Sequence, residues 1–347
     1  MLRKISIQLS VGLCLLLTTM TAASAEKTLT LMTHDSFNIS KTLVASFEKD
    51  NDVKLRFLKS GDAGAALIQA ILTKDNPLAD VFFGVDNTFL SRALTAGIFI
   101  PYRSPLLTTI PPSLQLDKEN RLLPLSYGDV CLNYDKEWFK KNNLSPPADL
   151  IDLLKPEYKG LTVVENPATS SPGMAFLLAT IGRFGADGYL DFWKNLRAND
   201  VLVASGWKDA YYGHFTSASK GNRPIVVSYA SSPAAVVHYA KIPLTEAPTA
   251  AVVGDRTAFR QIEFIGILKG SKEPELAGKL IDFMLSIPVQ EDIPLQMFVF
   301  PANSAARLPE VFTKHAVVPE KPAEIAPSEI EANRDKWLEA WTNAVLR

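Results

Sequence analysis

The sequence predicts an α/β protein made of two lobes. Strand-like and helical stretches alternate from residue 28 onward, and a second α/β region follows a proline-rich interruption. The 347 residues also suit roughly two domains at about 150 residues each. Hydrophobic residues make up 47% and charged residues 21%, enough apolar material for a packed core and too much for a disordered chain. The 36 basic and 37 acidic side chains leave a formal charge of −1, without the basic excess that nucleic-acid binding calls for.

The N-terminus reads as an export signal. Arg3 and Lys4 precede an apolar run through Ile5, Val11, Leu13, Leu15 and Leu17, and Ala23-Ser24-Ala25 follows with small residues. This is the charged, apolar and cleavage-site order of a secretory signal peptide, expected over residues 1–25. The apolar stretch is shorter than the ~20 residues a membrane span needs. Cleavage removes two cations and no acid, leaving 34 basic against 37 acidic side chains, a charge of −3. It also removes Cys14, so Cys131 has no intramolecular partner and the exported chain must stand on its hydrophobic core.

The elements follow in order. Thr28-Leu29-Thr30-Leu31-Met32-Thr33 alternates as a strand does, and Ile39, Leu43, Val44 and Phe47 recur at helical spacing. Val53, Leu55 and Phe57 alternate again, and an apolar helical stretch over 65–72 leads into Val81-Phe82-Phe83. The β-α-β-α-β order predicts a parallel sheet, whose ligands gather at the carboxyl ends of strands. The loops at residues 33–36, 59–62 and 84–87 are therefore the candidates. Prolines interrupt the pattern over 101–112, and Leu123-Pro124-Leu125-Ser126-Tyr127 reads as an extended passage into new structure. Leu161-Thr162-Val163-Val164 and Pro224-Ile225-Val226-Val227-Ser228 are strand-like, residues 174–181 are helical, and Gln261-Ile262-Glu263-Phe264-Ile265-Gly266 reads as a second crossing. The chain ends in a helix, with Ser328 and Glu331 as a capping box after Pro327 and a core-facing stripe of Ile330, Trp337, Leu338, Trp341 and Val345.

No nucleotide, dinucleotide, redox-dithiol or serine-hydrolase motif is present, and His34, His214, His238 and His315 lack metal-site spacing. His34-Asp35-Ser36 holds the residue types of a catalytic triad, but neighbours on a strand face opposite sides. No catalytic residue, metal ligand or cofactor is expected. Polar clusters instead stand where α/β loops belong. Asn166-Pro167-Ala168-Thr169-Ser170-Ser171-Pro172-Gly173 precedes a helix and suits either an anion at its N-terminus or plain capping by Thr169 or Ser170. Trp207, after the glycine turn at 205–206, and Tyr229, at a strand end, suit either the core or a cleft for a small charged organic ligand.

At this level the chain resembles the periplasmic thiamine-binding proteins of bacterial ABC importers. Thr33-His34-Asp35-Ser36-Phe37, Ala79-Asp80-Val81-Phe82-Phe83-Gly84-Val85-Asp86-Asn87, Tyr127-Gly128 and Asn133-Tyr134-Asp135-Lys136 carry the likeness in the first part. The segments at 167–173, 206–211 and 228–233, Pro274-Glu275-Leu276-Ala277, and Trp337-Leu338-Glu339-Ala340-Trp341 extend it to the end. The resemblance implies a type II periplasmic binding fold, two lobes joined by two crossing hinge strands near Ser126 and Gln261. Lobe 1 would take residues 26–126 and 262–310, lobe 2 residues 127–261, with a helical segment at 311–347 packed on the lobes. It implies a monomeric periplasmic protein that closes on thiamine or its phosphate esters and delivers them to an ABC permease.

The site implied by the same resemblance is His34, Asp35, Ser60, Gly61, Asp86, Thr169, Ser170, Trp207, Tyr229, Ser232 and Phe298. Ser60, Gly61, Thr169, Ser170, Trp207 and Tyr229 would meet the phosphate or hydroxyl end, and Asp35 would face the thiazolium, to which Trp207 and Tyr229 could also turn an aromatic face. The chain departs from the family at Ser60 (an aspartate there), His34 (a tyrosine), Ala235 and Asp129 (aromatics) and Phe298 (a tryptophan). A phosphorylated vitamin precursor or a phosphonate is the alternative ligand. A secreted hydrolase of a phosphorylated small molecule, and a scaffold with a vestigial cleft, are the alternatives of other classes. Tyr211-Tyr212 is an adjacent tyrosine pair, but its surroundings match the thiamine branch rather than ferric-ion binders.

Overall fold

The computed structural model describes residues 27–347; the expected signal segment, with Cys14, lies outside the described residues. β1 (Lys27–Thr33), α1 (Lys41–Asn51), β2 (Val53–Lys59), α2 (Ala63–Leu72) and β3 (Val81–Asp86) follow the expected β-α-β-α-β order. β1 lies between β2 and β3 and parallel to both, with Leu31 opposite Phe57 and Val81. β3 is buried along its whole length, the pattern of a parallel strand covered on both faces. Even the polar half of the alternation in β1 is used internally: buried Thr30 donates its N–H to Asp80 (2.9 Å) and accepts from Arg56 (3.1 Å). α1 starts at Lys41, later than Ile39, because Ser40 is tied to Asp292 through its N–H (2.8 Å) and its hydroxyl (2.5 Å).

α3 (Leu90–Thr95) and β4 (Phe99–Ile100) follow, and the proline-rich stretch makes two 3-10 turns, Pro105–Thr109 and Pro112–Leu114. Proline's missing N–H and preset φ suit the start of such turns. β5 (Leu123–Asp135) then passes into the second half of the molecule. α4 (Lys136–Lys141), β6 (Thr162–Glu165), α5 (Ser171–Ala198), β7 (Leu202–Ala204), α6 (Trp207–Asp209), β8 (Ile225–Tyr229), α7 (Ser232–His238) and β9 (Thr249–Val252) build it. β7, β6 and β8 are parallel, and β8 runs antiparallel to β5 with Tyr229 opposite Val130. α5 continues well past the expected residues 174–181, broken at Gly185, whose φ of 77° only glycine adopts freely.

β10 (Phe259–Leu268) crosses back, antiparallel to β5 and β3, with Glu263 opposite Ser126 on one side and Asp86 on the other. The ladder slips register after Glu263 against β5 and after Phe264 against β3. Among the described residues the main sheet runs β2-β1-β3-β10-β5-β8-β6-β7. Two α/β lobes are thus joined through two long crossing strands.

α8 (Pro274–Leu285), α9 (Ile287–Gln296), β11 (Phe300–Pro301), α10 (Glu310–His315) and α11 (Pro327–Val345) complete the chain. The capping box expected at Ser328 and Glu331 does not form. α11 opens on Pro327 in its first turn after Ala326, so Ser328 is already inside the helix and its hydroxyl caps nothing. The stripe is as expected: Ile330, Trp337, Trp341 and Val345 are buried and Leu338 is half-buried. Trp341 meets Trp193 of α5 edge-on at 5.5 Å. Arg334 lies over the Phe89 ring at 4.3 Å and donates to the Thr88 carbonyl at 3.1 Å. α11 therefore grips one element from each lobe. We expect Trp341→Ala to lower stability by about 3–5 kcal/mol in urea unfolding; a loss under about 1 kcal/mol would show that this ring pair does not anchor the helix.

Candidate functional site

A cavity of about 290 Å³ lies in the seam between the lobes, at the carboxyl ends of the strands. That is just under the size range for small-molecule sites, about 300–1,000 Å³. His34 reaches it from the loop after β1, Asp62 from the loop after β2, and Ser171 and Pro172 from the start of α5. Trp207 and Tyr211 enter from α6 and the turn that follows, Tyr229 and Ser232 from the β8–α7 junction, Gln261 and Glu263 from β10, and Phe298 from the loop after α9.

Aromatic rings form one wall. Trp207 stacks on Tyr211 with centroids 5.0 Å apart, and its indole N–H donates to Ser228 Oγ at 2.9 Å. Ser228 Oγ is 2.8 Å from Ser232 Oγ, so a short hydroxyl chain fixes the indole edge. Tyr229 packs flat on β5 because residue 128 is glycine: a Cβ there would lie 2.8 Å from the ring. Its hydroxyl donates to Gln261 at 3.3 Å, and burial, then Glu263, Asp62 and Asp86, hold its pKa well above the ordinary value, so it stays a donor. Phe298 packs against Tyr239 at 5.2 Å. Ala235 lines the cavity where an aromatic was expected, and Tyr239, one helical turn on, supplies a ring instead.

The opposite wall is charged. Glu263 is buried, accepts from the Ser126 hydroxyl at 2.6 Å and lies 3.5 Å from His34 Nε2. Burial opposes charging of His34, but Glu263, Asp62 and Asp35 outweigh it and the imidazole pKa ends above its usual value. Asp62 accepts from the backbone N–H of Ala63 (2.7 Å) and of Trp207 (3.0 Å). Its pKa is raised by burial and drawn back by those two N–H groups, His34 and the Ser170 hydroxyl. Behind it Glu165 is buried with both carboxyl oxygens unpartnered; burial and the nearby Asp62 hold its pKa well above the ordinary range. Beneath the cavity, fully buried Asp86 accepts from the Thr88 N–H at 2.6 Å, and its pKa is pushed up to about 7.

Of the residues nominated from sequence, His34, Trp207, Tyr229, Ser232 and Phe298 line the cavity. Asp35, Ser60, Gly61, Thr169 and Ser170 adjoin the wall without forming it. Asp35 N–H donates to the Gly61 carbonyl (2.7 Å) and Ser60 N–H to that of Thr33 (3.0 Å). Thr169 Oγ1 donates to the Ser205 carbonyl (3.0 Å), and Ser170 caps α5 by accepting from Gly173 N–H (3.4 Å). Asp129, out of pattern for the resemblance, has a structural role: both its oxygens pair with Arg260 at 3.0 Å, and that guanidinium covers the Tyr127 ring. Sequence reasoning missed Asp62, Tyr239, Gln261 and Glu263. Asp62 has the look of a helix cap, whereas Gln261 and Glu263 left a signal: two polar residues at period two in an apolar strand. Among the described residues no cluster of potential ligands suits a metal ion, and no helix is long and apolar enough to cross a membrane.

Two lobes, two crossing strands and an aromatic-lined cavity in the seam define a hinged solute-binding protein. The chain belongs to the family of bacterial extracellular solute-binding proteins, whose profile matches residues 76–322. It is 31% identical over 340 residues to the thiamine-binding periplasmic protein of Salmonella typhimurium, spanning 96% of this chain and 98% of that one. It is 30% identical over 328 residues to the thiamine-binding periplasmic protein of Escherichia coli, spanning 93% and 95%. Among solved structures it is similar to a periplasmic thiamin binding protein with a TM-score of 0.82 and 29% identity, over 93% of this chain and 98% of that one.

The pKa of Asp86 gives a test of the buried floor. A native pKa of about 7 against an unfolded value near ~4 means that the folded state keeps a proton the unfolded chain has lost, so stability falls as pH rises toward and through 7. Asparagine mimics the protonated acid. Asp86→Asn should gain about 2–3 kcal/mol over wild type between pH 5 and pH 8; parallel melting curves across that range would show that Asp86 is not the titrating group.

Proposed function

We propose that this protein is the substrate-binding component of an ABC importer and captures thiamine or a thiamine phosphate ester in the cleft between its lobes. The observation that carries this reading is the pairing of Trp207, Tyr211, Tyr229 and Phe298 with the carboxylates of Asp62 and Glu263 around one cavity. Thiazolium is a permanent cation, and aromatic faces attract a desolvated cation by about 2 kcal/mol or more. Glu263, Gln261, Ser232 and His34 offer the acceptors and donors that an aminopyrimidine edge needs. Relatives named for thiamine binding over nearly the whole chain support the same ligand. In this reading Asp35, Ser60, Gly61, Thr169 and Ser170 serve the site from behind its wall.

Capture follows from the two crossing strands. With lobe boundaries at 126/127 and 261/262, the hinge falls beside the register slips in β10, next to Glu263. In the present arrangement the lobes touch across the cleft, since Lys208 donates to the Asp35 carbonyl at 2.6 Å and the Trp207 N–H to Asp62. Ligand stacked on Trp207 and paired with Glu263 would hold both lobes at once. Removal of residues 1–25 would release the chain to the periplasm, where it acts as a monomer, and the closed form would present the ligand to the permease. In this reading binding rather than catalysis is the activity, in keeping with a family of solute-binding proteins.

Mass spectrometry of ligand released from the purified mature protein should find thiamine or one of its phosphates, and titration calorimetry should show one site per chain. A protein that binds none of these forms, or that hydrolyses thiamine phosphate, would overturn the reading. Trp207→Ala should weaken binding at least tenfold with the fold intact by circular dichroism; unchanged affinity would take Trp207 out of the site.

A further inference from the structure

The place where a ligand phosphate would be welcomed is already filled by the protein. The N-terminal ends of α2 and α5 meet at the cavity: Asp62 caps α2, Ser170 caps α5, and a Cβ on Gly64 would lie 2.9 Å from the Thr169 carbonyl. Exposed N–H groups at such ends attract anions. Here the Asp62 carboxylate accepts from one such group, Ala63 N–H of α2, at 2.7 Å, and from Trp207 N–H at the start of α6, across the seam, at 3.0 Å. The fit is close, since a Cβ on Gly206 would stand 2.7 Å from Asp62 Oδ2. Glu165 stands behind it, buried, with both oxygens unpartnered. The basic groups around this corner have partners of their own: Lys59 donates to the Phe37 carbonyl at 2.7 Å, Lys208 to the Asp35 carbonyl at 2.6 Å, and His34 lies 3.5 Å from Glu263.

We propose that Asp62 is a specificity-determining residue, whose carboxylate occupies the anion position of the cleft and selects the unphosphorylated, cationic form of the ligand over its phosphate esters. This rests on the thiamine reading above and narrows it. A phosphate brought to this corner meets a fixed like charge and finds the Ala63 and Trp207 N–H donors already used. A hydroxyl group meets an acceptor there instead, and a thiazolium nearby gains a counter-charge.

The test compares thiamine with thiamine monophosphate by titration calorimetry at one pH, for wild type, Asp62→Asn and Asp62→Ser. Asn keeps the shape without the charge. Ser keeps a capping hydroxyl and vacates the position. Wild type should bind the monophosphate at least tenfold more weakly than thiamine, and each substitution should shrink that ratio at least fivefold, whatever it does to thiamine itself. A wild type that binds the monophosphate as tightly as thiamine overturns the proposal, as does a ratio unchanged in both variants. If a variant fails to fold, the wild-type ratio and the other variant decide. A wild type that binds neither compound overturns the thiamine reading instead, a distinguishable result.

Discussion

The antiparallel pairing of β5 with β10 is the constraint on which the rest of this structure depends. β10 is hydrogen-bonded to β3 of the first lobe and to β5, which continues into the second, so a single ladder sets how the lobes face each other. Side chains alternate along a strand. Gln261 and Glu263 therefore face the cavity while buried Ile262 and Phe264 alternate with them in the core. The same ladder positions Gly128, whose missing side chain admits the Tyr229 ring. The register slips put the least regular part of this ladder beside the cavity.

The seam concentrates ionisable groups that would each be costly to bury alone, and each is accommodated differently. Glu263 has the Ser126 hydroxyl and His34. Asp62 has two backbone N–H groups, one from each lobe. Asp86 has the Thr88 N–H and a pKa pushed up to about 7 by burial. Glu165 has no partner, and burial favours its neutral form. Two cleft carboxylates face an aromatic wall, an arrangement in which a cation adds the missing counter-charge and a phosphate adds a third like charge.

Much of the fold was legible. The order of strands and helices followed from hydrophobic periodicity because each element buries a face, and burial at period 2 or 3.6 writes itself into local sequence. His34, Trp207, Tyr229, Ser232 and Phe298, implied by the family resemblance, line the cavity. Local rules misled where a stronger local preference or a distant partner competed. Pro327 took the first turn of α11 and displaced the capping box, and Asp292, far along the chain, held Ser40 outside α1.

The sequence by itself determined the element order, the two α/β lobes, the core-facing tryptophans of the last helix and the loops from which a site could be built. Those are properties of residues near one another in the chain. Only the tertiary structure decided that Glu263 of a crossing strand faces His34, and that Asp62 of one lobe closes on the Trp207 N–H of the other. These depend on sheet register and lobe approach, which bring together residues up to 229 positions apart, as with His34 and Glu263, and no local periodicity records such a distance.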